Sequence, residues 1–276
     1  MRRLLVLVPL IVLGLTAGLG SAQAAPPGNG DRWALIIGID HFQGATRPNT
    51  GAVGDAEDIR AALLAGGWSA DHIRTLTDGA ATAAGIRDGL AWLASKSTDT
   101  SFSVFAYSGH VKQVGSTEYI WPHDNQFIAD TDVASSLRSV KGYLWSIFSG
   151  CEAAGFDENL SGPKRLVTAA SQSNEKGYEL SPELRNSVFI NLMVDKGITR
   201  KLADANKDGK VSIQEAFRFA ADQAPKLTAR EQYGPQHPYI AGGDGSDWIL
   251  ERAAAAPAAA AAPAPPAKTC ILFICL

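Results

Sequence analysis

The sequence predicts an α/β fold in which a mostly parallel sheet is covered by helices on both faces. Unbroken apolar runs such as WALIIGI (33–39) are typical of strands buried on both sides. These runs alternate with longer segments whose apolar residues recur at helical spacing, such as GAVGDAEDIRAALLAGG (51–67). Regular alternation of strand and helix is typical of a parallel sheet between two helical layers, so we expect a three-layer architecture.

The predicted elements follow one another along the chain after this first strand. The helix over 51–67 has Val53, Ile59 and Leu63 on one face, and a Gly-Gly pair ends it. Further strands are predicted at 72–77, 102–107, 143–148 and 165–170. Further helices are predicted at 81–97, 132–140 and near 187–197, and YIWP (119–122) is expected in a hairpin.

Residues 1–24 have the composition of a secretory signal peptide. Arg2 and Arg3 precede an apolar run, and the small residues that follow it are typical of a signal-peptidase cleavage site, here after Ala24. A retained anchor is the alternative interpretation. The segment predicts an exported protein, either secreted or held in the cell envelope.

Residues 253–276 form a tail that is almost only Ala and Pro as far as residue 267, a composition typical of an extended spacer. The tail ends in the apolar tip KTCILFICL, which is shorter than the ~20 residues that cross a bilayer, so we expect no transmembrane span in the mature chain. Cys270 and Cys275 could pair with each other or with another chain. Between the two ends, residues 25–252 are numerous enough for one domain with a large core.

The charge of the chain argues against one class of partner. The sequence carries 25 basic and 28 acidic residues, a net charge of −3. It has no basic stripe interleaved with aromatic residues, so we do not expect a nucleic-acid partner. The oligomeric state is left open by the sequence.

Cys151 is the only cysteine within residues 25–252. Exported proteins usually pair their cysteines, so a single one is either a small buried hydrophobe or a reactive thiol. Cys151 comes just after one predicted strand, and His110 comes just after another. Because ligands bind at the carboxyl ends of parallel strands, we expect the two side chains to face each other there.

A cysteine beside a histidine can carry out nucleophilic attack on a carbonyl carbon. The imidazole lowers the pKa of the thiol and later protonates the leaving amine. The backbone N–H groups of Cys151 and Val111, in the turns after the two strands, are candidate donors to the oxyanion. By composition alone, the other histidines remain alternatives to His110: His41, His72, His123 and His237.

Several segments, taken in order, resemble the bacterial caspase-like peptidases of the metacaspase and orthocaspase group. The resemblance rests on YSGH and SGCEAAGF, and on ALIIGID, GAVGDAEDIRAAL, LTDGAATAAGIRDGLAWL and LVTAASQSNEKGYE. It covers most of residues 32–252. It implies a three-layer caspase-like fold and hydrolysis of peptide bonds by a Cys-His dyad, with His110 and Cys151 in the catalytic positions.

The sequence departs from the pattern of that group at three places. Val111 stands where a glycine usually follows the histidine and helps to form the oxyanion hole. Ser149 stands where an aspartate usually binds a basic side chain at P1, the residue before the scissile bond, and Glu152-Ala153-Ala154 replaces His-Ser-Gly. Besides Ser149, the candidate residues of the substrate pocket are Glu175 and Glu179, with solvated surface charge as the alternative for each.

The segment DANKDGKVSIQE (204–215) matches a twelve-residue calcium-binding loop at each informative position. Gly209 provides the sharp turn at position six. The expected ligands are Asp204, Asn206, Asp208, Lys210 through its carbonyl, Ser212 through a water molecule, and Glu215. We therefore expect Ca²⁺ as a structural or activating cofactor, and the alternative is a turn that binds nothing.

Taken together, the motifs predict an exported caspase-like cysteine endopeptidase that acts on a peptide or protein substrate. Two alternatives remain open at this point. One is a catalytically inactive caspase-fold protein that binds peptides or proteins. The other is a calcium-dependent interaction protein with the Ala/Pro tail as its spacer.

Overall fold

The computed structural model describes residues 27–157, 160–179 and 185–251, together with the pairs 270–271 and 274–275. The predicted signal peptide and the Ala/Pro stretch of the tail lie outside these residues. No helix in the described part of the chain is long and apolar enough to cross a membrane.

Each strand and helix with predicted bounds is present, and its ends lie within two residues of the predicted ones. The strands are β1 (Arg32–Gly38), β2 (Ile73–Thr77), β3 (Phe102–Ser108), β4 (Val111–Val114), β5 (Thr117–Ile120), β6 (Ile128–Ala129), β7 (Tyr143–Ser149), β8 (Arg165–Ala169), β9 (Tyr239–Gly242), β10 (Cys270–Ile271) and β11 (Ile274–Cys275). The helices are α1 (Ala52–Ala65), α2 (Ala83–Lys96), α3 (Asp130–Arg138), α4 (Val188–Ile190) and α5 (Ile213–Arg230). Helix α4 continues as a π-helix over Asn191–Thr199.

The central sheet has the strand order β2-β1-β3-β7-β8-β9. All neighbouring pairs from β2 to β8 are parallel, whereas β9 joins β8 antiparallel. The predicted α/β fold, with a mostly parallel sheet, is therefore confirmed. Strands β4, β5 and β6 form a separate antiparallel sheet directly after His110, which includes the predicted hairpin.

Alternate residues of the central strands fill two hydrophobic cores, one on each face of the sheet. On β3, Phe102 and Val104 face the core shared with α1, α4 and α5. Phe105 and Tyr107 face the opposite core, shared with α2 and α3. Because both faces are closely packed, the carboxyl ends of the strands form a firm edge from which side chains can be positioned.

The first turn of α1 lies against the backbone of residues 185–187. A β-carbon on Gly54 would come within 1.9 Å of the Arg185 carbonyl oxygen, and one on Gly51 within 2.6 Å of the Asn186 carbonyl carbon. Glycine at these two positions therefore allows residues 185–187 to pack directly on the helix.

Candidate active site

The strands that carry His110 and Cys151 are neighbours in the sheet. Ser108 of β3 pairs with Ser149 of β7, and the Gly109 amide donates to the Ser149 carbonyl at 3.1 Å. His110 and Cys151 are each two residues beyond this pair. The expected juxtaposition of the two turns at the carboxyl edge is present in the structure.

Both side chains line one open cleft of about 450 Å³. The cleft floor is formed by the ends of β3 and β7, and its sides come from residues 47–50, residues 177–179 and Tyr233. Of the five histidines, all within the described residues, only His110 lines this cleft. The volume of the cleft lies within the range of roughly 300–1,000 Å³ that is typical of ligand pockets.

The ring of His110 is held from more than one side. Its Nε2 donates to the Arg47 carbonyl at 2.8 Å, because a carbonyl can only accept. The ring stacks on Phe42 with 4.9 Å between centroids and lies 5.8 Å from the Trp121 ring. With the proton of the neutral ring on Nε2, the other nitrogen, Nδ1, is left as the acceptor.

The thiol of Cys151 is half-buried, and its hydrogen-bond partner is the Gly177 carbonyl and not His110. Its Sγ lies 3.9 Å from the Gly177 carbonyl oxygen, to which it donates. Burial, the largest effect, raises the pKa of the Cys151 thiol, and the charge of Glu152 adds to this. No hydrogen bond joins Cys151 to His110 within the described structure, so the two residues share a cleft without forming a preset ion pair.

The backbone at Val111 does not need the conformational freedom of glycine. Val111 is not among the described residues with positive φ, so the valine is accommodated without strain. It lies opposite Ile120 in the β4–β5 ladder, and the adjacent inter-strand bond runs from the Trp121 amide to the His110 carbonyl at 3.2 Å. Because amides alternate in direction along a strand, the Val111 N–H faces away from β5.

The residue after Cys151 has an unusual backbone conformation. Glu152 has φ of 47°, in the left-handed region, and its side chain is buried against Lys176, with which it forms an ion pair. The Glu152 amide donates to the Glu175 carbonyl at 2.7 Å. The turn at Cys151 is therefore held by the segment that follows β8.

The candidate pocket residues do not all reach the cleft. Ser149 and Glu179 line it. The Glu179 carboxylate accepts from the amides of Thr50 and Gly51, both at 3.0 Å, just before α1. Glu175 instead binds His237 through Nδ1 at 2.7 Å and lies outside the lining of the cleft, so the structure does not place it in the pocket.

A buried aspartate under the cleft is missing from the sequence prediction. Asp55 of α1 is fully buried and accepts from Ser108 Oγ at 2.6 Å and from the Ser187 amide at 2.9 Å. Burial raises the pKa of Asp55 to about 7. Ser108, Ser149 and Ser187 all line the cleft above it. An acid on the inward face of a predicted helix, four residues before Ile59, is the sequence signal that could have revealed it.

The predicted calcium loop has the expected local turns. Asp204 accepts from the Gly209 amide at 3.0 Å, and Asn206 accepts from the Asp208 amide at 2.9 Å. One oxygen of the Glu215 carboxylate caps α5 by accepting from Ser212, and the other accepts from the Asn206 amide of the loop at 3.4 Å. No group of three or more His, Cys, Asp or Glu side chains in the described ranges is arranged to hold a metal ion.

The chain is thus an α/β protein with a mostly parallel sheet. Its candidate active site has a cysteine and a histidine, each after one of two adjacent strands. The model of the caspase domain family matches residues 31–237, which include both of them. The chain therefore belongs to the caspase domain family. No curated protein sequence matches the chain.

Solved structures agree with this assignment. Protein GSU0716 from Geobacter sulfurreducens has a TM-score of 0.60 at 15% identity, over 80% of this chain and 99% of that one. Caspase-1 from Spodoptera frugiperda has a TM-score of 0.57 at 11% identity, over 84% of this chain and 94% of its own. At these identities the two structures show a shared caspase-like fold.

Proposed function

We propose that the protein is a cysteine endopeptidase with Cys151 as nucleophile and His110 as general acid and base. The observation that carries the proposal is the register of β3 and β7, which brings both residues into one cleft. Membership of the caspase domain family supports it, because that family implies protein substrates.

The reaction follows from the positions of the groups. As Cys151 Sγ attacks the scissile carbonyl carbon, His110 Nδ1 takes the thiol proton, and the carbonyl oxygen becomes an oxyanion. The amides of Cys151 and Val111 are the proposed donors to this oxyanion. His110 then gives its proton to the leaving amine as the C–N bond breaks. Water, deprotonated by His110, hydrolyses the thioester and restores the thiol.

The raised thiol pKa decides how this reaction begins. A neutral thiol bonded to Gly177 favours proton transfer to His110 at the moment of attack over a thiolate that exists beforehand. The same observation is what favours the inactive alternative, since an unreactive thiol also stays protonated. Turnover distinguishes the two.

The proposed substrate has a cationic side chain at P1. Asp55 lies beneath three serines of the cleft and has no cationic partner among its described contacts. A bound ammonium or guanidinium group would favour the ionised carboxylate and lower the Asp55 pKa. The negative charge of Asp55 can act on the bound cation through Ser108 and Ser149. In this way Asp55 would supply the charge that an acid at position 149 would otherwise provide.

A peptide library with every P1 residue tests the proposal directly. The purified protein should cleave peptides with Arg or Lys at P1, and Cys151→Ala should cleave none. Cleavage that persists in Cys151→Ala would assign the activity to another group or a contaminant. Absence of cleavage by the folded wild-type protein would favour the inactive, peptide-binding alternative.

We also propose that the loop at 204–215 binds Ca²⁺, on the basis of its ligand pattern and the turns at Asp204 and Asn206. One Glu215 oxygen already accepts from the Asn206 amide of the loop, and binding through both oxygens would require the other to leave Ser212. Ca²⁺ at millimolar concentration should raise the melting temperature of the wild-type protein and not that of Glu215→Gln. An equal shift in both proteins would contradict this site.

Export completes the proposal and rests on the sequence of residues 1–24. The protein would act outside the cytoplasm, with residues 253–276 as a spacer beyond the domain. Fractionation of cells that express the full chain should recover it, shortened at its N-terminus, from the envelope or medium. Recovery of the uncleaved chain from the cytoplasm would contradict export.

A further inference from the structure

The two proposed oxyanion donors belong to peptide units whose carbonyls have side-chain partners. In a trans peptide the C=O of one residue and the N–H of the next lie in one plane and point in opposite directions. The Val111 N–H is therefore aimed by whatever holds the His110 carbonyl. In the same way, the Cys151 N–H is aimed by whatever holds the Gly150 carbonyl.

Tyr107 holds the first of these carbonyls. Its side chain is 1% exposed, and its hydroxyl donates to the His110 carbonyl oxygen. The Trp121 amide lies 3.2 Å from both the Tyr107 hydroxyl and the His110 carbonyl oxygen, so the three groups form a closed triangle. This triangle fixes the His110–Val111 peptide plane from the side opposite to the Val111 N–H.

Ser171 holds the second carbonyl. Its side chain is fully buried, and its hydroxyl donates to the Gly150 carbonyl at 3.1 Å while accepting from the Ala153 amide at 3.2 Å. The Cys151 amide makes no hydrogen bond within the described part of the chain. The Gly150–Cys151 peptide is thus fixed by a hydroxyl from the turn after β8.

The two peptide units lie side by side. A β-carbon on Gly150 would come within 2.7 Å of the Gly109 carbonyl oxygen and 2.9 Å of Val111 Cγ2. Two fixed amides at adjacent turns can serve one oxyanion without reorganisation, which is the arrangement that makes such donors effective.

We propose that Tyr107 and Ser171 are positioning residues of the oxyanion hole: their hydroxyls orient the amides of Val111 and Cys151 by holding the carbonyls of the same peptide units. This inference rests on the proposed peptidase function and adds residues from outside the dyad. Neither Tyr107 nor Ser171 lines the cleft, so both are positioning residues and not catalytic residues.

Tyr107→Phe and Ser171→Ala test the inference. A single oxyanion donor contributes about 10²–10³-fold to kcat, so loss of its orientation should lower kcat by at least about tenfold while KM stays constant. Two matched controls should keep kcat. Tyr119→Phe removes a hydroxyl from the neighbouring β5, and Ser103→Ala removes a buried hydroxyl of β3 that has no hydrogen-bond partner in the described structure.

Two reagents separate orientation of the amides from general damage. A peptide aldehyde adds the Cys151 sulfur to its carbonyl carbon, and the aldehyde oxygen takes up the thiol proton through His110. The hemithioacetal oxygen occupies the oxyanion position, so aldehyde affinity should fall by the same factor as kcat/KM. Iodoacetamide alkylates the thiol by displacing iodide and forms no oxyanion at that position, so its rate and pH dependence should not change.

Three outcomes decide the matter. Parallel losses of kcat and aldehyde affinity, with unchanged alkylation, support the inference, and either variant suffices if the other fails to fold. Wild-type kcat and aldehyde affinity in the folded variants overturn this inference and leave the proposed function intact. A folded wild-type protein that neither cleaves peptides nor binds the aldehyde overturns both.

Discussion

The two strand ends of the candidate active site hold their side chains in different ways. At the end of β3, the His110 ring is fixed by the Arg47 carbonyl and the Phe42 ring. At the end of β7, the Cys151 thiol is half-buried and bonded to the Gly177 carbonyl. In the proposed mechanism, His110 is therefore in place before substrate arrives, whereas the Cys151 thiol leaves Gly177 as it attacks.

The largest expected effect comes from removing either half of the dyad. His110→Gln should lower kcat by about 10³-fold or more, because no other histidine lines the cleft to accept the thiol proton. Steady-state kinetics on a P1-arginine peptide would measure this, with His72→Gln as a control at the opposite edge of the sheet. A His110→Gln protein that kept most of its kcat would remove the histidine from the mechanism.

Asp55→Asn should have the next largest effect, on substrate choice. The variant should lose at least about tenfold in kcat/KM for a P1-arginine peptide, since a buried charge partner is lost, and should change little for P1-norleucine. In the wild-type protein the preference for arginine should rise with pH through about 7, as Asp55 ionises. A preference that is flat with pH in the wild-type protein would contradict the role of Asp55.

The same aspartate should make stability depend on pH. The pKa of Asp55 in the folded state lies above its ordinary value of 3.8, so the folded state binds the proton more tightly than the unfolded state. The contribution of Asp55 to stability is therefore complete below pH 3.8 and is lost as pH rises through about 7. Melting temperatures at pH 5 and pH 8 should differ less in Asp55→Asn than in the wild-type protein, and an equal or larger difference would contradict this assignment.

Phe42→Leu tests whether stacking on Phe42 holds the His110 ring in the position that the reaction needs. Loss of the stacked ring should lower kcat by up to about tenfold and leave KM unchanged, because a slightly misplaced base reacts less often from the bound state. Phe127→Leu is a suitable control, since Phe127 contacts Trp121 but is not stacked on His110. A larger effect in the control would show that Trp121, and not Phe42, orients the ring.

The smallest expected effect concerns the cysteine side. Lys176 lowers the thiol pKa and pairs with Glu152, whose charge raises it. Lys176→Met should therefore raise the Cys151 pKa and slow alkylation near neutral pH, about tenfold for each pKa unit. Lys141→Met, at the far end of β7, is the matched control. Faster alkylation of Lys176→Met would show that the lysine acts by covering the thiol.

The main elements of the fold can be predicted from apolar periodicity, because each long strand and helix carries its own pattern. Strand β9 cannot, since Tyr239–Gly242 is short and half-exposed and is a strand only because it pairs with β8. His110 and Cys151 are predictable because each directly follows a core strand. In the sequence, Tyr107 is an ordinary strand residue and Ser171 an ordinary residue of the turn after β8, and only the folded backbone shows which carbonyls their hydroxyls reach.

Asp55 lies between these two cases. Its sequence position marks it as an acid on a buried helix face, but its partners come from three distant segments. Contacts between elements far apart in sequence are set by the packing of the whole domain and leave no local pattern. Glu175 is the opposite case. Its position after β8 predicts a pocket residue, but in the folded protein its carboxylate binds His237.

The absence of a side chain at Gly54, in the first turn of α1, limits which substitutions the protein can tolerate there. Any side chain at Gly54 would collide with the Arg185 carbonyl oxygen and push residues 185–187 away, and with them the Ser187 amide that holds Asp55. In a saturation mutagenesis screen, position 54 should therefore behave like an active-site position although it touches no substrate. Substitutions of Gly54 and of Asp55 should therefore have similar effects, because both disturb the contact between Asp55 and Ser187.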